Sequence, residues 1–280
     1  METSNEPSSM IVRQPSVAGH FYPGTPEKIK QFIAQLDLEP EILTENVIGS
    51  ITPHATYDCC GEVMAETFMR IRTADTYLML GPKHREKKGA CAVFQRGRWK
   101  TPLGDIEVDS NLTAALMSET ALLKNLPDDH ENEHCIEVQL PMLQYVADRP
   151  FMIAPILVPT GFDSELCQEL GMAISRTIRN CSGQVVILAT SDFSQDLSPE
   201  MAERKDGSFI QQVALLELED LMGGIKRFGY GYCGINAIIS MLIAARELGA
   251  TGGELVKYIT HGESEDDFTR GNGYAGMLIK

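Results

Sequence analysis

Two histidines and an aspartate each follow an apolar run that is typical of a buried strand. These residues are His54, His84 and Asp192. In open α/β sheets, sites form where the carboxyl ends of strands meet the following loops. Two imidazoles and an anionic ligand can hold divalent iron or zinc and leave positions open for substrate or oxygen. The pattern therefore predicts a shared metal site, the alternative being loop histidines bonded to backbone carbonyls.

The densest polar segment of the chain is DDHENEHCIE, residues 128–137. It is either the solvated, acidic start of a helix or a source of chemistry. In the second case His134 supplies an acid–base group or a ligand, with Glu133 or Glu137 orienting it. The segment also matches HExxH, a zinc-protease motif that requires both histidines within one helix. Because Pro127 precedes it closely, we expect His130 at or before the helix start and treat the match as fortuitous.

Cys233 lies in the glycine-rich sequence GYGYCG, ahead of a strongly apolar segment. A thiol at a helix N-terminus has its thiolate form favoured, which suits a nucleophile or a metal ligand. The alternative is a small apolar residue that fills space between closely approaching backbones. The chain has no GxSxG, Walker A or GxGxxG sequence, so nothing supports nucleotide binding.

Short apolar runs alternate with amphipathic segments along the chain, which predicts a single α/β domain with a largely parallel or mixed central sheet flanked by helices. We expect residues 1–10 to be disordered and residues 11–280 to form the domain. A late pair of strands is expected to join the sheet antiparallel. The predicted strands are Val47–Thr52, Thr76–Leu80, Ala90–Phe94, Ile153–Val158, Val185–Ala189, Leu255–Ile259 and Tyr274–Ile279. The predicted helices are Cys60–Ile71, Glu165–Arg179, a buried Cys233–Leu248, and one that begins after Thr25.

The composition excludes several classes of protein. Among 280 residues, 39 acids against 24 bases give a net charge of −15, which disfavours nucleic-acid and membrane-surface partners. The start METSNEPSSM lacks the features of a signal peptide, and no segment approaches the ~20 apolar residues of a membrane span. Seven scattered cysteines favour a reducing cytoplasm over a disulfide scaffold.

Several motifs resemble the Memo family, which includes protein B of the AmmeMemoRadiSam system. In order, they are RQPSVAGHFYP, ITPHATYDCCG, LGPKH, DDHENEHCIEVQLPML, ATSDFSQ, YCGINAI and GNGYAGMLI. The resemblance implies a fold similar to class III extradiol dioxygenases. It also implies a metal pocket of His54, His84 and Cys233, lined by Asp192.

Three departures bear on what the resemblance implies. Thr56 replaces a glycine of the family pattern, so the turn after His54 is expected to differ. Gln195 replaces a histidine found in many members, and Gln can hydrogen-bond but cannot move a proton. Cys233 stands where the dioxygenases have a carboxylate, and a thiolate favours iron, copper(I) or zinc over magnesium or calcium.

The sequence leaves two functions open. One is a metal-dependent, dioxygenase-like oxidoreductase acting on an unknown small molecule, with iron the first choice of metal and copper or zinc the alternatives. In it Asp192 orients a ligand, His134 shuttles protons, and Gln195 and Glu133 line the pocket. The other is a non-enzymatic adaptor that binds phosphopeptides through a basic rim of Lys83, Arg85, Lys87 and Lys88. The resemblance further implies radical SAM and AMMECR-type partner proteins.

Overall fold

A computed structural model describes residues 11–36, 38, 43–264 and 267–280, apart from the side chains of 228 and 261–270. The predicted disorder of residues 1–10 lies outside this range. The strands are β1 (Val12–Arg13), β2 (Gly49–Thr52), β3 (Thr76–Lys83), β4 (Cys91–Val93), β5 (Arg98–Thr101), β6 (Gly104–Glu107), β7 (Leu123–Asn125), β8 (Met152–Pro159), β9 (Val185–Thr190), β10 (Gly253–Ser264) and β11 (Asp267–Ile279).

Eight α-helices occur within the described residues. They are α1 (Pro26–Ala34), α2 (Tyr57–Met69), α3 (Ser110–Glu119), α4 (Gln139–Val146), α5 (Ser164–Arg179), α6 (Pro199–Ala214), α7 (Leu218–Phe228) and α8 (Ile235–Glu247). A short 3₁₀ helix, Pro127–His130, precedes α4. None of the helices in the described ranges has the length and apolarity needed to span a membrane.

An eight-stranded sheet forms the centre of the molecule, in the order β10-β11-β2-β9-β3-β8-β4-β7. Its middle strands β2, β9, β3 and β8 are parallel to one another. On either side of them the pairing is antiparallel, β11 with β2 and β10, and β4 with β8. Parallel strands need both faces covered, and every residue of β2 and β3 is buried. The α/β class with a mixed central sheet is therefore confirmed, as is the antiparallel late pair.

Helices pack on the two faces of this sheet and form separate apolar clusters. One cluster joins residues of α3, α5, α6, α7 and α8 to the sheet, and the other joins residues of α1, α2 and α4. The predicted buried helix is confirmed, because every residue of α8 from Ile235 to Ala245 is buried. Thr25 caps α1 as expected, accepting a hydrogen bond from Lys28 N at 3.4 Å.

All seven predicted strands are present, but four short ones were not predicted. β1, β5 and β6 form a separate three-stranded sheet, and β7 pairs at the edge of the large sheet. They have between two and four residues each, too few for alternation to be visible in the sequence. The helix that follows residues 128–137 begins at Gln139, so His130 lies before its start, as expected.

Candidate metal site

Three adjacent parallel strands bring the predicted strand-end residues to one edge of the sheet. β9 lies between β2 and β3, with Thr52 of β2 level with Thr190 of β9. His54, Asp192 and His84 follow these three strands within two residues of their ends. The ring centroids of His54 and His84 are 5.2 Å apart, and the Oδ1 atom of Asp192 accepts a hydrogen bond from His54 N at 2.8 Å. The structure thus brings these three residues together.

Cys233 reaches the same place from the loop before α8. Its Sγ lies 3.2 Å from His54 Nε2, and the ligand atoms of His54, His84 and Cys233 all lie within 4.8 Å of one another. Gly234 permits this approach, because a Cβ there would collide with the carbonyl oxygen of Thr190. Its amide donates to Ser191 Oγ at 2.9 Å, which ties the cysteine loop to the end of β9.

His54 is held from behind by buried polar residues. Its side chain is 2% exposed, and its Nδ1 lies 2.6 Å from Thr190 Oγ1. The Nε2 atom of Gln139 donates to the same hydroxyl at 3.2 Å, while Thr52 donates to Gln139 Oε1 at 3.0 Å. These contacts leave His54 Nε2 directed at Cys233. Hydrogen bonds of this kind orient metal-ligating histidines in proteins.

Glu133 holds His84 in the corresponding way. Its Oε1 lies 2.8 Å from His84 Nδ1, and its Oε2 accepts from His84 N at 3.2 Å. The amides of His134 and Cys135 donate to Oε1 at 2.9 and 3.3 Å. Because Nδ1 is occupied, Nε2 is the nitrogen of His84 that is available to an ion.

His134 stands beside the three residues His54, His84 and Cys233 without joining them. Its ring is nearly parallel to that of His84, with 10° between planes and centroids 4.8 Å apart, and Phe21 packs on it at 4.6 Å. Imidazole lone pairs lie in the ring planes, so two stacked rings do not converge on one ion. Although His84, Glu133 and His134 also have ligand atoms close together, the geometry makes Glu133 a shared hydrogen-bond acceptor between two imidazoles.

In the absence of a metal, the trio His54, His84 and Cys233 stabilise one another's charges, and this shifts their pKa values. Burial opposes the Cys233 thiolate, but the adjacent His54 and hydrogen bonds from both histidines lower the pKa of Cys233 to about 6. Burial likewise opposes a charged His84, yet bonds to Cys233 and Glu133 raise its pKa to about 10. The pKa of His54 is also raised, because the charges of Cys233 and Asp192 outweigh its burial.

The chemistry of this donor set suits a metal cation. The trio stabilises positive charge around a thiolate, and a cation would supply the charge that protons supply in its absence. One sulfur and two imidazole nitrogens are a donor set that accepts iron, copper or zinc. The site opens to solvent on one side, since the His84 and His134 side chains are 31% and 25% exposed.

His134 has the opposite electrostatic setting. Burial and the neighbouring positive charge of His54 lower its pKa to about 4, although Glu133 opposes this shift. His134 is therefore neutral at pH 7. Its Nδ1 lies 3.3 Å from Glu133 Oε1, so donation from Nδ1 leaves Nε2 as a proton acceptor.

Other predicted residues lie in different settings. Gln195 is exposed on the loop beyond Asp192. Glu137, the alternative partner of His134, instead pairs with buried Arg13 at 2.5 Å. His130 is buried in the 3₁₀ helix with Nε2 at 3.1 Å from Ala92 O, which agrees with a fortuitous HExxH match. Lys83 is not part of an exposed basic rim, because it is 7% exposed and pairs with Glu86 and Asp129.

The turn after His54 does not require a glycine. Thr56 has φ −66° and ψ 152°, an extended conformation open to any residue, and it stands at the N-cap of α2. Its carbonyl accepts from the amides of Cys59 and Cys60, both at 3.0 Å. The sequence did not reveal Thr190, Gln139 or Arg13 as parts of the site. The only available signal for them was their closeness to the motifs that carry His54, Asp192 and His134.

Arg13 fixes the segment that carries Glu133 and His134. Its guanidinium donates to His130 O at 2.9 Å and to Glu133 O at 2.8 Å. The Glu137 carboxylate, on the other side of this ion pair, accepts from Val17 N at 3.0 Å and from Tyr22 OH at 2.8 Å. The N-terminal segment is thereby fastened against the site, which accounts for the position of Phe21.

The fold and site define an α/β protein with a candidate two-histidine, one-cysteine metal site. The family model described as Memo-like protein matches residues 13–278, and the chain belongs to this family. It is 32% identical to the MEMO1 family protein MK0963 of Methanopyrus kandleri, covering 96% of this chain and 99% of that protein. It is 35% identical to the MEMO1 family protein Mbar_A1422 of Methanosarcina barkeri, covering 96% and 100%.

A solved structure shares the fold. The crystal structure of the uncharacterized protein JW3007 from Escherichia coli K12 aligns with a TM-score of 0.51 and 11% identity, covering 84% of this chain and 100% of that chain. This likeness concerns the fold alone.

Proposed function

We propose that this protein is a metal-dependent oxidoreductase that acts on a small substrate. The observation that carries the proposal is the convergence of His54, His84 and Cys233, whose ligand atoms lie within 4.8 Å of one another at a solvent-open edge of the sheet. Iron is the first candidate, with copper or zinc as alternatives, because the donors are two imidazoles and a thiolate. Bound iron or copper would supply redox chemistry at an open coordination position.

The residues around this trio have separate tasks in the proposal. Glu133 and Thr190 hold the two histidines with their Nε2 atoms toward Cys233. Asp192 holds the backbone of His54 and places a carboxylate beside the opening, where it can orient a substrate hydroxyl. His134, neutral at pH 7, accepts a proton from the substrate at Nε2; the Glu133 carboxylate stabilises the imidazolium, which releases the proton to solvent.

Metal content tests the first part of the proposal. The protein is purified without oxygen, and its metal is counted by elemental analysis. His54→Ala should lose most of the metal, whereas His20→Ala, which changes an exposed histidine, should retain it. Equal and negligible metal in the wild type and both variants would overturn the proposal.

Turnover tests the second part. Oxygen uptake by the iron-loaded protein is measured against a panel of catechols and other small phenols. His134→Gln should lower the rate constant by about 10²–10⁴-fold, the usual contribution of a general acid–base group, without removing the metal. If the fully metallated protein consumes no oxygen with any phenol, the protein binds metal but does not have the proposed activity.

An anion-binding adaptor is the second candidate function. Lys87, Lys88 and Lys226 line one surface cavity of about 400 Å³, where they outnumber the acidic residues Asp163 and Glu165. No ion pair joins them to any residue that the structure describes. Three lysines without ion pairs on a chain of net charge −15 favour an anionic ligand at this place.

A phosphopeptide titration separates the two candidates. Saturable binding that is lost in Lys87→Glu but kept in Lys100→Glu, an exposed lysine of β5, would favour the adaptor. Binding that survives both changes, or no binding at all, would count against it.

A further inference from the structure

A buried carboxylate lies beneath the two loops that carry Cys233 and Asp192. Asp206 of α6 has no exposed surface. It accepts hydrogen bonds from Tyr232 OH at 2.6 Å, Ser194 Oγ at 2.7 Å and Tyr258 OH at 2.8 Å. Within the described part of the chain, no lysine or arginine forms an ion pair with it. Burying such a charge is costly without compensating partners, so the three hydroxyls must be held in place.

Two of these hydroxyls belong to residues that are close in sequence to residues of the site. Tyr232 immediately precedes Cys233, and Ser194 lies two residues after Asp192. The amide of Ser194 adds a hydrogen bond to Asp206 at 3.2 Å. The third hydroxyl, that of Tyr258, belongs to β10, and Tyr258 is not close in sequence to His54, His84, Asp192 or Cys233.

The elements around Asp206 are joined by close contacts. Tyr232 stacks on Phe193 with ring centroids 4.8 Å apart. Phe193 N donates to Gly273 O at 2.9 Å, and Gly273 N donates to Ser194 O at 2.8 Å. A Cβ at Gly273 would collide with the Asp206 carboxylate. The loop after β9, the loop before α8 and strand β11 therefore meet at this one side chain.

We propose that Asp206 is a positioning residue of the metal site, acting through Tyr232 on Cys233 and through Ser194 on Asp192. The expected effect on metal binding rests on the proposed function, whereas the hydrogen bonds that join Asp206 to the two loops do not depend on it. Charge-assisted hydrogen bonds to a buried carboxylate are short and directional, so they fix the two loops more firmly than neutral ones would. The thiol and the aspartate then face His54 from fixed positions before any ion arrives.

The two tyrosines provide a matched test. Tyr232→Phe and Tyr258→Phe each remove one hydroxyl from the same carboxylate, but only Tyr232 adjoins Cys233. Co²⁺ is the probe, with affinity measured by titration and the Cys233 bond observed through thiolate-to-cobalt charge-transfer absorption. Tyr232→Phe should weaken Co²⁺ binding by about tenfold and shift that absorption, as loss of a supporting hydrogen bond does in other metal sites. Tyr258→Phe should leave both within about twofold of the wild type.

A second readout needs no metal. Site-resolved mass spectrometry gives the rate at which iodoacetamide alkylates Cys233 in the metal-free protein. Tyr232→Phe and Asp206→Asn should change this rate several-fold, with Glu203→Gln, an exposed acid of α6, as the control. A wild type that fails to bind Co²⁺ would contradict the proposed function, while the alkylation rates would still decide the role of Asp206.

Two outcomes overturn the proposal. If both tyrosine variants match the wild type in alkylation and in binding, Asp206 does not position Cys233. If both variants lose binding equally and also unfold at lower urea concentration, Asp206 supports the fold in general.

Discussion

The contact between His54 and Cys233 is the chemical centre of the site. His54→Ala removes the neighbour whose charge and hydrogen bond hold the pKa of Cys233 at about 6. The pKa should then rise toward the ordinary thiol value, so that less thiolate is present at pH 7. The rate of Cys233 alkylation is measured against pH in the metal-free protein, and the midpoint of this curve should rise by at least one pH unit. An unchanged midpoint would show that His84 alone holds the thiolate, and His20→Ala serves as the control.

Glu133 is the acidic residue with the greatest expected effect on the site. Burial opposes its charge, but hydrogen bonding to His84 lowers the pKa of Glu133 to about 2, so it is ionised at neutral pH. Glu133→Gln should weaken Co²⁺ binding by about 10–100-fold, the usual cost of losing such a partner. The measurement is a Co²⁺ titration against Glu131→Gln, which changes an exposed neighbour. Equal affinity in the two variants would contradict the role given to Glu133.

The buried His130 is expected to make the stability of the folded state sensitive to acid. Burial is the main cause that lowers its pKa to about 3, from 6.5 in the unfolded chain. Above pH 6.5 the histidine is neutral in both states, and as the pH falls the unfolded state takes up the proton first. The free energy of unfolding should therefore fall by about 2 kcal/mol between pH 7 and pH 5 through this residue alone. Urea unfolding of His130→Gln should show a smaller loss over that interval, and an identical loss would contradict the assignment.

At the scale of elements, two helical glycines have opposite surroundings. A Cβ at Gly171 of α5 would lie 2.8 Å from both Ile243 Cβ and Ser240 O of α8, whereas one at Gly207 of α6 would meet nothing within 4 Å. Alanine gains about 1 kcal/mol of helix propensity over glycine, but overpacking costs about 1–3 kcal/mol. Gly171→Ala should lower the free energy of unfolding by about 1–2 kcal/mol, and Gly207→Ala should raise it by about 0.5–1 kcal/mol. Urea titration measures both, and stabilisation by Gly171→Ala would contradict the close contact of α5 with α8.

The elements that could be predicted from sequence are those with a strong pattern. β3, β8 and β9 are continuous apolar runs, and α5 carries a regular amphipathic period, so their positions follow from hydrophobic spacing. β5 and β6 have four residues each and face solvent at several positions, so no period distinguishes them. Their pairing depends on contacts with distant residues, which a single sequence does not reveal.

The site was predictable where it depends on strand ends and unpredictable where it depends on turns. His54, His84 and Asp192 follow parallel strands, whose carboxyl ends always share one edge of a sheet. The bond between Glu133 and His84 depends instead on the turns between the 3₁₀ helix and α4. Those turns are held by Arg13, 120 residues away from Glu133 in the chain. Nothing local in the sequence of this segment indicates that contact.

At the scale of the whole molecule, the acid excess and the site are largely separate. The chain has 39 acidic residues, but the site and its supports use only a few of them: Glu133, Glu137, Asp192 and Asp206. Glu133, Glu137 and Asp206 are buried and take up hydrogen bonds from surrounding donors. The negative net charge therefore reflects surface residues, and it would raise the local concentration of metal cations without selecting among them.

The candidate ligands come from residues 54, 84 and 233, so only the folded chain brings them together. A cation that binds the folded state alone stabilises it by about 4 kcal/mol when its free concentration is 1,000 times the dissociation constant. Co²⁺ at that excess should raise the urea midpoint of the wild type and leave that of His54→Ala nearly unchanged. A gain shared equally by both proteins would place the stabilising ion elsewhere. If Co²⁺ binds tightly but stabilises the wild type by much less than about 4 kcal/mol, cysteines of the unfolded chain also bind cobalt.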